Sequence, residues 1–156
     1  MLFHPNKQAF IYLLLVFNSS YYITHMNSRH LKYFNLLQKI AEANEPVARA
    51  RTAACLVYQN RIISVGWNKA KTHPLAKRYS KHPEALFSHA EIDCIANATR
   101  ARIDENIISK ASMYVLRIKA DGTWANAKPC KGCQMMIKFR KFNHVRFTTD
   151  TGMGSL

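Results

Sequence analysis

The 156-residue sequence has little glycine and proline, which are frequent in disordered chains, and few of the cysteines that small disulfide-bonded secreted domains contain. It contains only 5 glycines and 5 prolines, while 48% of its residues are hydrophobic and 21% are charged. This composition excludes a disordered or repetitive chain. Four cysteines in a chain of this length are also too few for a disulfide framework. We therefore predict a globular protein of a reducing compartment, the cytoplasm.

The sequence also lacks an apolar stretch long enough to cross a bilayer. Its longest apolar run, AFIYLLLVF at residues 9–17, is about half of the roughly 20 residues that a spanning helix needs. Residues 1–25 carry one basic residue, Lys7, and no acid. We interpret them as an N-terminal extension that the fold does not need, with a packed extra helix or a targeting segment as alternatives. Residues 26–156 form the predicted domain, and no membrane association is expected.

Acidic residues are scarce in this chain. Nine Asp and Glu stand against 23 Lys and Arg, which gives a formal net charge of +14. A field of this sign attracts phosphates, whether they belong to a nucleotide, a nucleic acid or a membrane surface. The charge balance thus predicts an anionic partner without choosing among these.

Hydrophobic periodicity predicts the element order α-β-β-α-β-α-β. The predicted helices are 27–44, 88–101 and 130–142, and the predicted strands are 53–58, 61–67, 113–118 and 144–149. Residues 68–87 are interpreted as a long polar loop, which is functional or mobile in a domain of this size. Strands that alternate with helices favour an α/β fold with three α-β-α layers. Cys55 and Cys94 lie in apolar contexts and are predicted to be buried as small hydrophobic residues.

The segment PCKGC at 129–133 carries the strongest chemical signal in the sequence. Cys130 and Cys133 lie three residues apart at a predicted helix start, so both sulfurs can reach one ion. The positive end of the helix dipole lowers the pKa of thiols placed there. A redox dithiol and an incidental pair are the alternatives for this motif by itself. Pro129 is compatible with a first helical turn, where its missing amide costs nothing.

The segment SHAEID at 88–93 can be interpreted in two ways. Ser88 and Glu91 have the spacing of a capping box. His89 can instead join Cys130 and Cys133 as a third metal ligand, because side chains at two helix starts can meet at one ion. Three protein ligands leave a fourth position for water, as in catalytic zinc sites, and Glu91 is then placed to transfer a proton. We therefore predict that Ser88 caps the helix forward and that Glu91 points into the cleft.

His89-Ala90-Glu91 followed by the PCKGC segment resembles the H-x-E…P-C-x-x-C signature of zinc-dependent nucleobase deaminases. The resemblance runs from about residue 27 to 149 and is greatest to the cytidine and deoxycytidylate deaminase superfamily. Segments GWN at 66–68 and TGMGSL at 151–156 are also similar to bacterial tRNA adenosine deaminase. The resemblance implies a mixed sheet, one Zn²⁺ held by His89, Cys130 and Cys133, and Glu91 as the proton shuttle. It further implies that Asn68 contacts a sugar and that the Ala90 backbone holds the base.

The expected reaction is hydrolytic deamination of a cytosine nucleotide, dCMP or CMP, with release of ammonia. Lys71, Arg78 and Lys81 belong to a basic loop before His89 and are candidates to bind a 5′-phosphate. It is equally consistent with the sequence that this loop is a solvent-exposed, lysine-rich surface with no role in binding. Other functions that stay open are deamination of a base in tRNA or single-stranded DNA, and nucleic-acid binding by a non-catalytic zinc protein. The insertion KADGTWANAK at 119–128 and the short C-terminus depart from the family pattern. The resemblance is also compatible with a homo-oligomer.

Overall fold

A computed structural model describes residues 27–79, 87–142 and 144–156. The predicted extension at residues 1–25 and Lys81 lie outside these residues. The helices are α1 (Ser28–Glu42), α2 (Pro74–Tyr79), α3 (Ala90–Arg100), α4 (Glu105–Lys110) and α5 (Lys131–Phe139). The strands are β1 (Arg51–Tyr58), β2 (Arg61–Trp67), β3 (Ser112–Ile118), β4 (Trp124–Ala125), β5 (His144–Thr149) and β6 (Gly152–Ser155).

The strands form one mixed sheet in the order β2-β1-β3-β5-β6, with β4 paired to β3. Only the β3–β5 pair is parallel among these described strands, and the other pairs are antiparallel. Antiparallel β1 and β2 are joined by a two-residue turn at Gln59-Asn60, where both residues have positive φ. The predicted hairpin and the mixed sheet are both confirmed.

Helices cover both faces of the sheet, which confirms the predicted three-layer α-β-α arrangement. Strand β1 sends alternate side chains to opposite faces, as the strand period requires. Ala53, Cys55 and Val57 join the core under α1, whereas Ala54 and Leu56 join the core under α3, α4 and α5. Cys55 and Cys94 are fully buried free thiols, in agreement with the prediction that they pack as small hydrophobic residues.

Four described elements were missed by the sequence pattern, which makes the predicted element order wrong in detail. Helix α2 lies inside the segment interpreted as a loop, and α4 lies between α3 and β3. Strand β4 is a two-residue pairing inside the 119–128 insertion, and β6 follows the strand that was predicted to be last. The N-cap Asp104, whose side chain accepts from the Asn106 amide, was a usable signal for α4.

Gly66 allows α3 to lie directly against β2. A Cβ atom at this position would stand 2.2 Å from the Cys94 nitrogen and 2.8 Å from the Ala90 carbonyl oxygen. No side chain fits into that space, so the glycine of the GWN segment sets the depth at which α3 sits. The start of α3, with His89, is therefore fixed against the sheet. Among the described residues, no helix is both long enough and apolar enough to cross a membrane.

Candidate active site

The predicted ligands meet where two helices begin. His89 is the N-cap of α3, and Cys130 is the N-cap of α5, with its sulfur accepting from the Cys133 amide. The His89 Nδ1 atom lies 3.5 Å from the Cys130 Sγ and 3.4 Å from the Cys133 Sγ. All three donor atoms lie within 4.8 Å of one another. Each predicted ligand thus lies at the N-cap or in the first turn of a helix.

These distances fit a tetrahedral zinc ion. Bonds of about 2.3 Å to sulfur and about 2.0–2.1 Å to nitrogen at a tetrahedral angle separate the two donors by roughly 3.5–3.6 Å. The two measured nitrogen–sulfur distances lie close to that value. One imidazole and two sulfurs are also donors that zinc prefers. The residues present therefore fit one zinc ion with three protein ligands.

Hydrogen bonds among the three donors shift the pKa values of the two thiols in opposite directions. The pKa of the Cys130 thiol is lowered to about 3, because its sulfur accepts hydrogen bonds from Cys133 and His89. The pKa of Cys133 is raised by its hydrogen bond with Cys130 and by burial. The pKa of His89 is raised, chiefly by its hydrogen bond to Cys130. The hydrogen bonds within the group thus favour the thiolate form at Cys130 and the thiol form at Cys133.

Glu91 lies in the first turn of α3, next to these donors. Its side chain is buried, with 4% of its surface exposed, and it lines the same cavity as His89 and Cys130. Burial raises the pKa of the Glu91 carboxyl. No capping box forms here, since the Ser88 amide donates to the Lys69 carbonyl at 2.9 Å.

The predicted forward cap by Ser88 is wrong. Helix α3 begins at Ala90 with His89 as its N-cap, and His89 makes no side-chain capping hydrogen bond. The Ser88 hydroxyl instead donates to the His89 carbonyl oxygen at 3.4 Å. Ser88 forms a short bridge with Lys69, which places it before the helix rather than at its N-cap position.

A cavity of about 250 Å³ opens beside the three donors and Glu91. The segments that line it are the 47–52 turn and strand start, Asn68, the start of α3, the end of β3 and the connector that leads into α5. Its lining residues are Val47, Ala48, Ala50, Thr52, Asn68, Phe87, His89, Ala90, Glu91, Arg117, Asn126, Ala127, Lys128 and Cys130.

The sequence profile described as the cytidine and deoxycytidylate deaminase zinc-binding region matches residues 27–149. The chain belongs to this family. No curated protein sequence matches the chain. The matched region includes the three donor residues, Glu91 and the other residues that line the cavity.

Solved structures share the fold of this deaminase-family chain at low sequence identity. A dCMP deaminase from the cyanophage S-TIM5 in complex with dCMP and dUMP has a TM-score of 0.54 and 17% identity, covering 79% of this chain and 83% of that chain. Its apo form has a TM-score of 0.50 and 16% identity, covering 84% and 82%. A cytidine deaminase from Mycobacterium leprae has a TM-score of 0.48 and 18% identity, covering 78% and 91%. Likeness at this identity shows the common fold alone.

In this family member, Asn68 lines the cavity while its side chain is bonded within the protein. Its Oδ1 atom accepts from the Thr52 amide at 2.9 Å, and its Nδ2 atom donates to the Ala50 carbonyl at 2.8 Å. These bonds hold a two-residue turn in which Ala48 and Arg49 have φ of 49° and 64°. The sugar contact implied by the resemblance stays a prediction, as does the contact of a base with the buried Ala90 backbone.

The basic loop residues are not gathered at this cavity. Lys71 lines a neighbouring cavity, and the Arg78 guanidinium lies 5.8 Å from the centre of the Phe139 ring. Lys69 forms an ion pair with Asp93 at 2.8 Å. The structure therefore does not bring Lys71 or Arg78 to the cavity that Glu91 lines, and Lys81 lies outside the described residues.

Sequence reasoning missed two cations that do line the cavity. Arg117 is at the end of β3, and Lys128 is two residues before Cys130. Arg117 lies two positions before the 119–128 insertion and Lys128 is its last residue; the insertion was noted as a departure from the family but not connected with the site. Asn126 and Phe87 also line the cavity without having been predicted. Alternate residues of a strand point to the same face, so Arg117 could have been assigned to the sheet face that carries Met113 and Val115.

Proposed function

We propose that this protein is a zinc-dependent hydrolytic deaminase that acts on a cytosine nucleotide, dCMP or CMP. The observation that carries the proposal is the set of His89, Cys130 and Cys133 donor atoms within 4.8 Å at a cavity lined by the buried Glu91. Membership of the zinc-binding deaminase family supports the reaction type. The related cyanophage enzyme in complex with dCMP and dUMP supports the choice of nucleotide.

His89, Cys130 and Cys133 would hold one zinc ion. Zinc bound by three protein ligands supplies a water of lowered pKa at its fourth position. Cys130 and Cys133 must stay reduced to serve as ligands, and all four cysteines are free thiols. We place the reaction in the reducing cytoplasm for that reason.

Glu91 carries the proton transfers in this proposal. Its carboxylate accepts a proton from the attacking water and delivers it to the ring nitrogen beside the amino-bearing carbon. Glu91 then transfers the second proton of the water to the amino nitrogen, and the carbon–nitrogen bond breaks as the nitrogen leaves as ammonia. The ring carbon keeps the water oxygen as a carbonyl. Burial of Glu91 shields this exchange from bulk solvent.

The proposal is tested by Glu91→Gln, with Glu42→Gln as the matched control on the opposite face of the sheet. Glu42 is exposed, and within the part of the chain that the structure describes its side chain accepts a hydrogen bond from Gln38 alone. The Glu91 variant should retain one zinc per chain by elemental analysis but lose roughly a factor of 100 to 10,000 in ammonia release from dCMP, because proton transfer contributes about that much. The control should keep both. Near wild-type turnover by Glu91→Gln would contradict the assignment.

A substrate panel separates this function from a non-catalytic zinc protein. Ammonia release is measured with dCMP, CMP, deoxycytidine, cytidine, a single-stranded DNA oligonucleotide and a tRNA anticodon stem. Turnover of dCMP or CMP above the others supports the proposal. No turnover of any of them, combined with four protein ligands by X-ray absorption, would favour a structural zinc site instead.

A further inference from the structure

The cavity has a polarity that runs from a buried acid to an exposed basic rim. Glu91 is the only carboxylate that lines it among the described residues, and that side chain is buried. Arg117 and Lys128 line the same cavity and are solvent-exposed. A ligand that fills the space therefore meets Glu91 at its inner end and two cations at its outer end.

Neither cation has an acidic partner within residues 27–79, 87–142 and 144–156. The ion pairs found there join Lys69 to Asp93, Lys119 to Asp150 and Arg140 to Glu105. Lys119 is thus neutralised just beyond Arg117 in the chain, whereas Arg117 is not. Two unneutralised cations at one cavity favour an anionic group between them.

The backbone that carries both cations is fixed by one buried side chain, Thr148. Its hydroxyl, which is fully buried, donates to the Ala125 carbonyl at 2.8 Å and accepts from the Arg117 amide at 3.2 Å. The Thr148 carbonyl in turn accepts from the Ala127 amide at 2.9 Å. Strand β5 therefore holds the end of β3 and the connector before Cys130 in one arrangement. Both cavity-lining cations therefore lie on or next to backbone that Thr148 supports.

We propose that Arg117 and Lys128 bind the 5′-phosphate of a free nucleotide whose base lies beside Glu91. This inference rests on the proposed deaminase function for the position of the base. A phosphate monoester carries close to two negative charges, which matches two cations, and arginine can bind two of its oxygens at once. The volume of about 250 Å³ suits one nucleotide rather than a polymer track. The two residues would then select nucleotides over nucleosides, in place of the predicted loop residues Lys71 and Arg78.

The experiment compares kcat/KM for dCMP and deoxycytidine in Arg117→Gln, Lys128→Gln and the double variant. The matched controls are Arg61→Gln and Lys110→Gln, which remove exposed cations that do not line this cavity. Loss of charge-assisted hydrogen bonds should lower kcat/KM for dCMP by roughly 10- to 100-fold per cation and leave that for deoxycytidine within about twofold. Arg117→Lys should retain part of the preference. An unchanged ratio of dCMP to deoxycytidine in the double variant would overturn the proposal.

A binding measurement keeps the phosphate assignment separate from the deaminase assignment. The affinities for dUMP and deoxyuridine are measured by titration calorimetry with the zinc-loaded wild type and the same variants. Weaker dUMP binding in the variants, with deoxyuridine unaffected, supports the phosphate site even if no ammonia is released from dCMP. Wild type that binds dUMP no better than deoxyuridine would overturn it. A trinucleotide with a central cytosine that is turned over faster than dCMP, and depends on the same cations, would overturn the assignment to a free nucleotide.

Discussion

Replacing Asn68 with alanine removes the side chain that holds the 47–50 turn against the cavity. Two hydrogen bonds of good length are lost, one from the Thr52 amide and one to the Ala50 carbonyl. A third contact, to the Val47 carbonyl at 3.5 Å, is too long to add much. At about 1 kcal/mol for each good bond, with an added cost for the unpaired Thr52 amide, we expect the free energy of unfolding to fall by about 2–3 kcal/mol. A domain of ordinary stability, about 5–15 kcal/mol, still folds.

The turn is expected to relax once Asn68 is gone, because its backbone is strained. Ala48 and Arg49 both have positive φ, which costs residues other than glycine about 1–2 kcal/mol each. Asn-Gly is the sequence that such a two-residue turn favours. Adding Ala48→Asn and Arg49→Gly to Asn68→Ala should therefore recover about 1–2 kcal/mol of stability and part of kcat/KM for dCMP.

Urea unfolding and steady-state kinetics test this reasoning, with Asn106→Ala as the matched control. Asn106 is exposed on α4 and its side chain makes no hydrogen bond within the described residues, so the control should change stability by less than about 0.5 kcal/mol. If Asn68→Ala were as stable as the control, the hydrogen bonds would not support the turn. If the redesigned turn restored stability while kcat/KM stayed low, Asn68 would act by touching substrate instead.

Two further predictions concern the support of the metal donors. Gly66→Ala places a methyl group against the backbone of Cys94 and Ala90, so α3 must move. We expect the free energy of unfolding, measured in urea, to fall by about 1–3 kcal/mol and zinc to bind more weakly. An unchanged zinc affinity would contradict this role of Gly66. Zinc removal with a chelator should lower the melting temperature, because it lowers the free energy of unfolding by about 2.7 kcal/mol when free zinc had been at 100 times the dissociation constant. Cys133→Ser should abolish that shift, and a chelator effect of equal size in this variant would place the metal elsewhere.

The sequence predicted that His89, Cys130 and Cys133 come together, because the position of each residue at a helix start follows short-range rules. Helix starts and the spacing of the two cysteines place each side chain locally, and the family signature relates His89 to the cysteines on a different helix. The predicted cap failed because Ser88 pairs with Lys69, which is 19 positions earlier in the chain, and no local rule describes that bridge. Tertiary pairing outweighed the capping preference there.

The elements that were missed have weak local signals and strong tertiary causes. Strand β6 contains two glycines and has little strand propensity, but it pairs with the otherwise open edge of β5. A Cβ atom at Gly154 would stand 2.6 Å from the Phe147 ring, so its lack of a side chain is what permits this approach. The cavity rim was missed for the same reason, since Arg117 and Lys128 are brought to His89 by the sheet and not by spacing.

The proposed zinc site would join two residues that lie far apart in the chain, His89 and Cys130. These residues are 41 positions apart and belong to different helices. A zinc ion that joins them cross-links the chain as a disulfide would, closing a loop whose entropy in the unfolded state is worth roughly 4 kcal/mol. The closed loop contains α3, α4, β3 and β4, and with them Arg117 and Lys128. Zinc bound as proposed would thus also stabilise the folded state of the segment that carries the basic rim, in addition to supplying the reactive water.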